Sequence, residues 1–320
     1  MTTHSPAGES MSPLAVSDSE YVSHGVTWAA GRPQLQLAPV APGALAFVDI
    51  MGHRLGLRIT SAERFCTGRY RFVSTYQVKP EPCPRRLPTT QGDQCDWCRQ
   101  GDDFRFAHQF HRGGHTPAAL ADYMSQPHWL YIATFANQAS KVGTAADPRK
   151  RSRLDEQGAL FATYLAKSVD GRTIRQLEDS ITRHLGIGQS VRGAAKVAAL
   201  TNPSGLRAAQ NAHEGAVRSA VAFLKGLEIT PVLEAWPMPD EGHGLRTTVG
   251  SGERVLYPFS LREGEHGFTV ESCIGSQVLA RPDRPDNGVS YVLDLAALKG
   301  CRLVLGSYSS PNVVIQTALF

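Results

Sequence analysis

The sequence predicts an α+β fold, in which a central segment of strands and helices is flanked by regions of short strands. Residues 126–185 pass from an aromatic, β-branched stretch to the spacing of an amphipathic helix. Short strand patterns separated by Pro and Gly precede and follow that segment. The chain also contains 30 Gly and 20 Pro among 320 residues, which indicates many turns, and its length favours two or three small domains.

The composition argues against a membrane-spanning protein and leaves the partner open. No run approaches the roughly 18 apolar residues that a membrane-spanning helix needs, and the N-terminus lacks a signal pattern, so we expect a cytoplasmic location. A net charge of +4 and a pI near 8.8 do not alone predict a polyanionic partner. The run RKRSR at 149–153 does favour DNA or RNA, and a solvated helix start is the alternative.

The first 65 residues divide into a tail and a β segment. Residues 1–20 are rich in Ser, Thr and Pro, which predicts a disordered tail. Residues 21–65 contain the strand patterns GVTW, LQLAP, ALAFVDI and RLGLRI, separated by Pro and Gly. This spacing predicts a small β-barrel or half-barrel.

Residues 66–115 form a cysteine segment. The CDWC sequence at 95–98 has the two-residue spacing that is typical of half a structural zinc site. The first choice of ligands is the set Cys66, Cys83, Cys95 and Cys98. The alternative ligands are His108, His111 and His115. Four unrelated reduced cysteines are the remaining interpretation, while Cys273 and Cys301 lie in apolar strand patterns and are expected to be buried thiols.

Residues 116–226 are predicted to form the central domain with a helical extension. Thr116 and Pro117 favour the start of a short helix. Residues 128–135 have the pattern of a strand, and residues 141–143 are expected to form the second strand of a hairpin. One face of a following helix is marked by Ile174, Leu177, Ile181 and Leu185. Gly186 is expected to end that helix, and the Ala-rich stretch 190–226 predicts further helices.

Residues 227–320 return to strand patterns. The segments are ITPVLEAW, RVLYPFSL, FTVESCIG, SQVLA, VSYVLDL and CRLVLG. They are separated by turn signals, which include DNG at 286–288. We therefore expect a barrel-like C-terminal domain. Pairing of its strands with those of residues 21–65 is a further option.

The order of the central elements resembles the core of the GIY-YIG nucleases: an aromatic strand, a tight hairpin that ends in Gly, an Arg soon after it, and a helix bearing Glu. Within that superfamily the chain looks most like a bacterial zinc-cysteine family, domain of unknown function 2797. The residues that carry the resemblance are QPHWLY at 126–131, KVG at 141–143, RLDEQGA at 153–159, CDWC at 95–98, IGSQVL at 274–279 and LDLAALKG at 293–300. The resemblance extends over about residues 50–305.

The resemblance implies a set of site residues. Tyr131 corresponds to the Tyr of GIY, Gly143 to the Gly of YIG, and Glu178 to the metal-binding Glu. Either Arg151 or Arg153 corresponds to the core Arg. The chain departs from the pattern at two positions, where Trp129 replaces the Gly of GIY and Lys141 replaces the Tyr of YIG.

The chemistry implied by the resemblance is phosphodiester hydrolysis with Mg²⁺ or Mn²⁺ held by Glu178. An Arg would hold the phosphate, and Tyr131 would take a proton from water if its pKa were lowered. His128 is an alternative base. Lys141 is interpreted as a phosphate anchor or as a nucleophile whose pKa burial lowers.

Structural interpretations of the same residues stay open. Tyr131 is equally well explained as an ordinary strand aromatic, and Glu178 as the partner of an Arg on its own helix. The arginines within reach along that helix are Arg172, Arg175 and Arg183.

Three functions are therefore considered: a metal-dependent nuclease, a non-catalytic zinc-containing nucleic-acid-binding protein, and an enzyme of small-molecule metabolism on a GIY-YIG-like fold. An open basic groove with Glu178 exposed favours the first. Ion pairing of Glu178 favours the second. A closed pocket around Tyr131 and Lys141 favours the third.

Overall fold

The computed structural model describes residues 19–107, 110–113, 116–202, 205–246, 253–283 and 289–312. Both helices and strands are present, as expected for an α+β chain. Residues 1–18 of the predicted tail, the ligand candidates His108 and His115, and the DNG turn at 286–288 lie outside the described residues.

The elements are numbered here in chain order. The strands are β1 Glu20–Ala29, β2 Arg32–Pro39, β3 Ala46–Asp49, β4 Arg54–Arg64, β5 Arg69–Ser74, β6 Gln77–Glu81, β7 His128–Thr134, β8 Ser140–Ala146, β9 Phe161–Ser168, β10 Glu234–Ala235, β11 Arg254–Leu256, β12 Glu265–Ile274, β13 Gln277–Pro282, β14 Ser290–Asp294 and β15 Cys301–Leu305. The α-helices are α1 Asp96–Gln100, α2 Ala118–Met124, α3 Lys150–Asp155, α4 Gly171–Leu185, α5 Gly193–Leu200, α6 Leu206–Gly226 and α7 His243–Arg246. Short 3-10 turns lie at Phe110–Arg112, Asp147–Arg149, Asp240–Gly242 and Leu295–Leu298.

The two flanking β segments combine in one sheet. Its nine strands run in the order β11-β14-β13-β12-β4-β15-β1-β2-β3, so β4 of the N-terminal segment lies between β12 and β15 of the C-terminal segment. Leu57 pairs with His266 on one side and Leu305 on the other. Its side chain is fully buried in a core that also contains Phe268 and Leu303. Among the described residues no ladder joins β11 to β3, so this sheet is open rather than closed into a barrel.

The central domain is built on a four-stranded sheet in the order β10-β9-β7-β8. All seven residues of β7 are buried, because both faces of this strand are covered. Leu130 and Ile132 pack against apolar residues of α4 and α6. Trp129 and Tyr131 face the opposite side and pack with Leu154. The predicted hairpin is present, with β7 and β8 antiparallel and Tyr131 directly opposite Gly143.

Helix α4 has the apolar face and the glycine end that its sequence pattern predicted. Ile174 and Ile181 are buried against the central sheet. The Asp170 carboxylate accepts a hydrogen bond from the Thr173 amide and caps the first turn. Gly186 follows the last turn with φ of 69°, a left-handed conformation that Gly adopts without strain. Helix α2 differs from expectation at its start, since Pro117 occupies the N-cap position and no side chain caps it.

The central domain contacts the nine-stranded sheet through two glycines of the resemblance segments. Gly158 and Gly275 both have positive φ, at 70° and 63°. A Cβ atom on Gly275 would lie 2.5 Å from the Gly158 nitrogen, so the two backbones approach more closely than side chains would permit. Trp28 on β1 donates a hydrogen bond to the Gly275 carbonyl at 2.8 Å. The RLDEQGA and IGSQVL segments, which lie far apart in the sequence, therefore contact each other.

Candidate functional site

Four cysteines form a buried cluster beside the nine-stranded sheet. Cys66 follows β4, Cys83 follows β6, and Cys95 and Cys98 lie at the start and in the middle of α1. Their sulfur atoms all lie within 4.8 Å of one another. The Sγ atoms of Cys83 and Cys95 are 4.0 Å apart, close to the roughly 3.8 Å that separates thiolates around a tetrahedral zinc ion.

The backbone around the cluster is shaped for metal-bound thiolates. The amides of Gly68 and Cys95 both point at the Cys66 sulfur, at 3.3 and 3.1 Å. Gly68 has φ of 87°, and a Cβ there would lie within van der Waals overlap of the Glu81 carbonyl. N–H groups directed at sulfur favour a negatively charged thiolate. The donor set and its surroundings therefore fit a zinc ion.

Of the histidine candidates, His111 does not reach this cluster, and His108 and His115 lie outside the described residues. Among the described residues the cysteines alone form a group with metal-ligand spacing. His111 instead pairs with Asp179 on α4 at 2.7 Å. His128 is buried, its Nδ1 lies 2.8 Å from the Gln126 carbonyl, and burial lowers its pKa. His111 therefore joins the cysteine segment to α4, and His128 bonds to the chain two residues before it.

A second cluster surrounds Gly143 on the β7–β8 hairpin. The Tyr131 side chain is fully buried, and its ring lies directly across Gly143. A Cβ atom on Gly143 would lie 2.5 Å from the phenol Cζ and oxygen. Because no L side chain fits in that space, a Gly at this position is required by the placement of the Tyr131 ring.

The Tyr131 hydroxyl is held in its neutral form. It accepts a hydrogen bond from the Gln157 amide at 2.8 Å, and the Arg153 guanidinium faces it. Burial raises the pKa of Tyr131 despite that neighbouring charge. This direction is opposite to the one that a proton-accepting phenolate requires. A neutral Tyr131 is suited to donate its own proton in a hydrogen bond to a ligand oxygen.

The structure separates the two arginines that the sequence left as alternatives. Arg153 on α3 faces Tyr131 and is one of the charges that act on Lys141. Arg151 is exposed, forms a long salt bridge with Asp155 at 3.9 Å, and approaches Gly31 of the nine-stranded sheet. Two positions on one helix thus have different environments, and Arg153 is the one at the hairpin.

Two lysines complete the positive charge. Lys141 is partly buried on the same face of β8 as Gly143, and it has no hydrogen bond or salt bridge among the described residues. Burial, together with the charges of Arg153 and Lys196, lowers the pKa of Lys141 to about 7.

Lys196 on α5 donates a hydrogen bond to the Gln157 carbonyl at 2.9 Å, and its Nζ lies 3.9 Å from the Phe135 ring centroid. Burial lowers the pKa of Lys196 to about 8. We call Tyr131, Lys141, Arg153 and Lys196 the cationic site.

Glu178 lies beside the cationic site and has a partner. Its carboxylate is buried and accepts a hydrogen bond from Arg175 on the same helix at 2.7 Å. The adjacent Asp179 is engaged by His111 and Arg112. Mg²⁺ needs several oxygen ligands in surroundings that are not positively charged. Glu178 offers a single carboxylate, which is already paired with Arg175 and lies among other cations. The donor set therefore does not fit a magnesium ion.

Two residues of this region were missed in the sequence. Gln157 lies in the RLDEQGA segment, which was used only for the resemblance. Lys196 is the single cation of α5, GAAKVAAL, and a lone charge in an Ala-rich helix is the signal that would have found it. Arg175 was named only as a possible partner of Glu178.

Comparisons with protein-family models, with curated proteins and with solved structures gave no match for this chain. The resemblance to the GIY-YIG core accordingly stays a prediction that rests on the residues named above. No helix in the described ranges is long and apolar enough to cross a membrane.

Proposed function

We propose that the protein binds nucleic acid by holding a phosphate group in the cationic site. The observation that carries the proposal is the convergence of Lys141, Arg153 and Lys196, none of which forms a salt bridge in the part of the chain that the structure describes. Removing unpaired cations from water is unfavourable unless an anion joins them. A phosphate oxygen would replace the lost hydration, and the planar Arg153 guanidinium suits two phosphate oxygens at once.

Nucleic acid is the phosphate source that the surroundings favour. Arg151, two positions from Arg153 on α3, adds a positive charge at the surface, with its side chain 60% exposed. The resemblance to the GIY-YIG core, which acts on phosphodiesters, points to the same class of ligand. Ion pairing of Glu178 with Arg175 favours binding over metal-dependent cleavage.

We further propose that the four cysteines hold one structural zinc ion. The ion would tie the end of β4 to β6 and α1, a segment whose own apolar core is small. In this proposal zinc stabilises the segment and takes no part in chemistry.

The binding proposal is tested by salt-dependent binding of a fluorescent single-stranded oligonucleotide, DNA or RNA, to matched arginine variants. We expect Arg153→Met to weaken binding by about tenfold and to reduce the slope of log K against log salt by about 0.7, because one phosphate contact of a single strand is lost. Arg151→Met removes the same charge two positions away on α3 and should change the affinity less than Arg153→Met. Equal losses in both variants would contradict the proposal, and absence of binding by wild type would leave a phosphorylated small molecule as the remaining ligand.

Metal-dependent hydrolysis of the bound strand is the second candidate function. The observation in its favour is that the charges of Arg153 and Glu178 both act on the Tyr131 hydroxyl, whose ring lies across Gly143. The test is to incubate the protein and the oligonucleotide with Mg²⁺ or Mn²⁺ and to compare strand cleavage by wild type and by Glu178→Gln. Cleavage by wild type that is lost in a folded Glu178→Gln variant would establish the nuclease and replace binding as the main function.

A further inference from the structure

We infer that Lys141 is a nucleophilic amine that captures an aldehyde carried by the bound strand, namely the ring-opened sugar of an abasic residue. This inference rests on the proposed function, because the phosphate next to the abasic sugar supplies the binding. It adds a substrate class and a covalent step that the binding proposal does not require.

The position of Lys141 supports a reactive amine. Its neighbour across the hairpin is Ala133, and the next residue on its face is Gly143, so small residues lie beneath the side chain. No hydrogen bond or salt bridge among the described residues engages its ammonium group. A lysine that is shielded from water and close to other cations is a recognised form of activated nucleophile.

The charge state agrees with this position. With a pKa lowered to about 7 by burial and by Arg153 and Lys196, a large share of Lys141 is the neutral amine near neutral pH. The nearby Glu178 opposes the lowering, and Arg175 supports it. The phosphate of the ligand would face Arg153 and Lys196 and offset their charges, while burial, the largest cause of the lowered pKa of Lys141, would remain.

Two neighbours suit the rest of the sugar. The Gln157 Oε1 atom is buried and has no hydrogen-bond partner, and the 4′-hydroxyl of a ring-opened sugar would donate to it. The Tyr131 hydroxyl accepts from the Gln157 amide, which leaves its own hydrogen available for the aldehyde oxygen. An abasic residue lacks a base, so it is the smallest nucleotide that a partly buried site can receive.

The step is balanced without an oxidant or a metal. The lone pair of Lys141 Nζ attacks C1′, a C–N bond forms, and the aldehyde oxygen leaves as water after taking up one proton from the nitrogen and one from the solvent. The product is a protonated imine. Loss of a C2′ proton to water then lets the C3′–O bond break, with its electron pair leaving on the phosphate, and hydrolysis of the imine restores the amine.

The test uses the full chain and a short single-stranded DNA that contains one abasic residue, with sodium cyanoborohydride present to reduce the imine to a stable amine. We expect a covalent adduct that is unaffected by chelators and maps to Lys141 by peptide mass spectrometry. At DNA concentrations that saturate each protein, Lys141→Arg should lower the adduct yield by more than about tenfold, because a guanidinium is not nucleophilic. Lys167→Arg, at a lysine that pairs with Asp147, should form the adduct as wild type does.

The same DNA with a tetrahydrofuran residue, which has no aldehyde, separates the two proposals. Binding of this DNA without any adduct on the abasic DNA would overturn the inference and leave the proposed function standing. Adducts that spread over exposed lysines, or that persist in Lys141→Arg, would also overturn it. Absence of binding to either DNA would overturn both.

Discussion

At the scale of single residues, Gly143 determines where the Tyr131 hydroxyl lies. The ring lies across the β8 backbone at this position, and its hydroxyl meets the Gln157 amide and faces the Arg153 guanidinium. The position of the Tyr131 hydroxyl therefore requires that residue 143 has no side chain.

We expect Gly143→Ala to destabilise the fold by about 1–3 kcal/mol, because the added methyl group would overlap the buried Tyr131 ring. Urea unfolding followed by fluorescence measures the change. Gly226→Ala is the matched control, since nothing lies within 4 Å of a Cβ at the end of α6. Equal stability of the Gly143→Ala and Gly226→Ala variants would show that the ring does not occupy this space.

His213 gives the fold a dependence on pH. Its Nδ1 lies 3.0 Å from the Thr134 hydroxyl on β7, and its Nε2 lies 2.9 Å from the Thr163 hydroxyl on β9. Burial lowers the pKa of His213 to about 4, and the charge of Glu214 only partly opposes this. The unfolded chain takes up the proton at a higher pH, so the stabilisation is complete above about pH 6.5 and is lost as the pH falls towards about 4.

We expect the free energy of unfolding of wild type to fall as the pH is lowered across this range. Because it removes one titrating group, His213→Gln should reduce the slope of this free energy against pH by about 1.4 kcal/mol per pH unit. Urea unfolding at a series of pH values measures the slope. The exposed His184, changed to Gln, is the control and should leave the slope as in wild type. An unchanged slope in His213→Gln would mean that His213 is not the group that titrates.

At the scale of elements, local patterns were sufficient where an element is built from neighbours along the chain. The apolar face and glycine end of α4, the β7–β8 hairpin and the long helix α6 all follow from residues within one stretch. The cysteine cluster followed from the CxxC spacing, although its two distant members were a choice among several. The side of α3 that faces the hairpin did not follow, because it depends on how the helix packs.

The zinc proposal is tested at this scale. We expect purified protein to carry about one zinc ion, and Cys98→Ser to lose it together with the protection of amide hydrogens in residues 66–100, because three thiolates leave the ion with an open position. Metal analysis and hydrogen–deuterium exchange measure the two effects. Cys301→Ala alters a buried thiol outside the cluster and should keep the zinc. Loss of zinc from Cys301→Ala, or its retention by Cys98→Ser, would contradict the assignment.

At the scale of the whole molecule, contacts between distant segments decide the architecture. Strands β12 and β15 enclose β4, which lies about 200 residues earlier, and no local pattern specifies such a pairing. The cationic site also depends on contacts between distant segments, because Tyr131 lies on a strand and Arg153 and Lys196 lie on two different helices. The sequence predicted the residue types at the hairpin and offered an ion pair of Glu178 with an Arg of its own helix, which the structure shows with Arg175. It did not predict the contribution of Lys196, since that depends on packing.

The most direct test of the cationic site as the place where nucleic acid binds is the protection of its lysines from reductive methylation. Single-stranded oligonucleotide should slow the labelling of Lys141 and Lys196 by about tenfold or more, because the bound strand would cover both amines. The exposed Lys225 at the end of α6 should label at the same rate with and without the oligonucleotide. Equal labelling rates of Lys141 with and without saturating oligonucleotide would contradict the account.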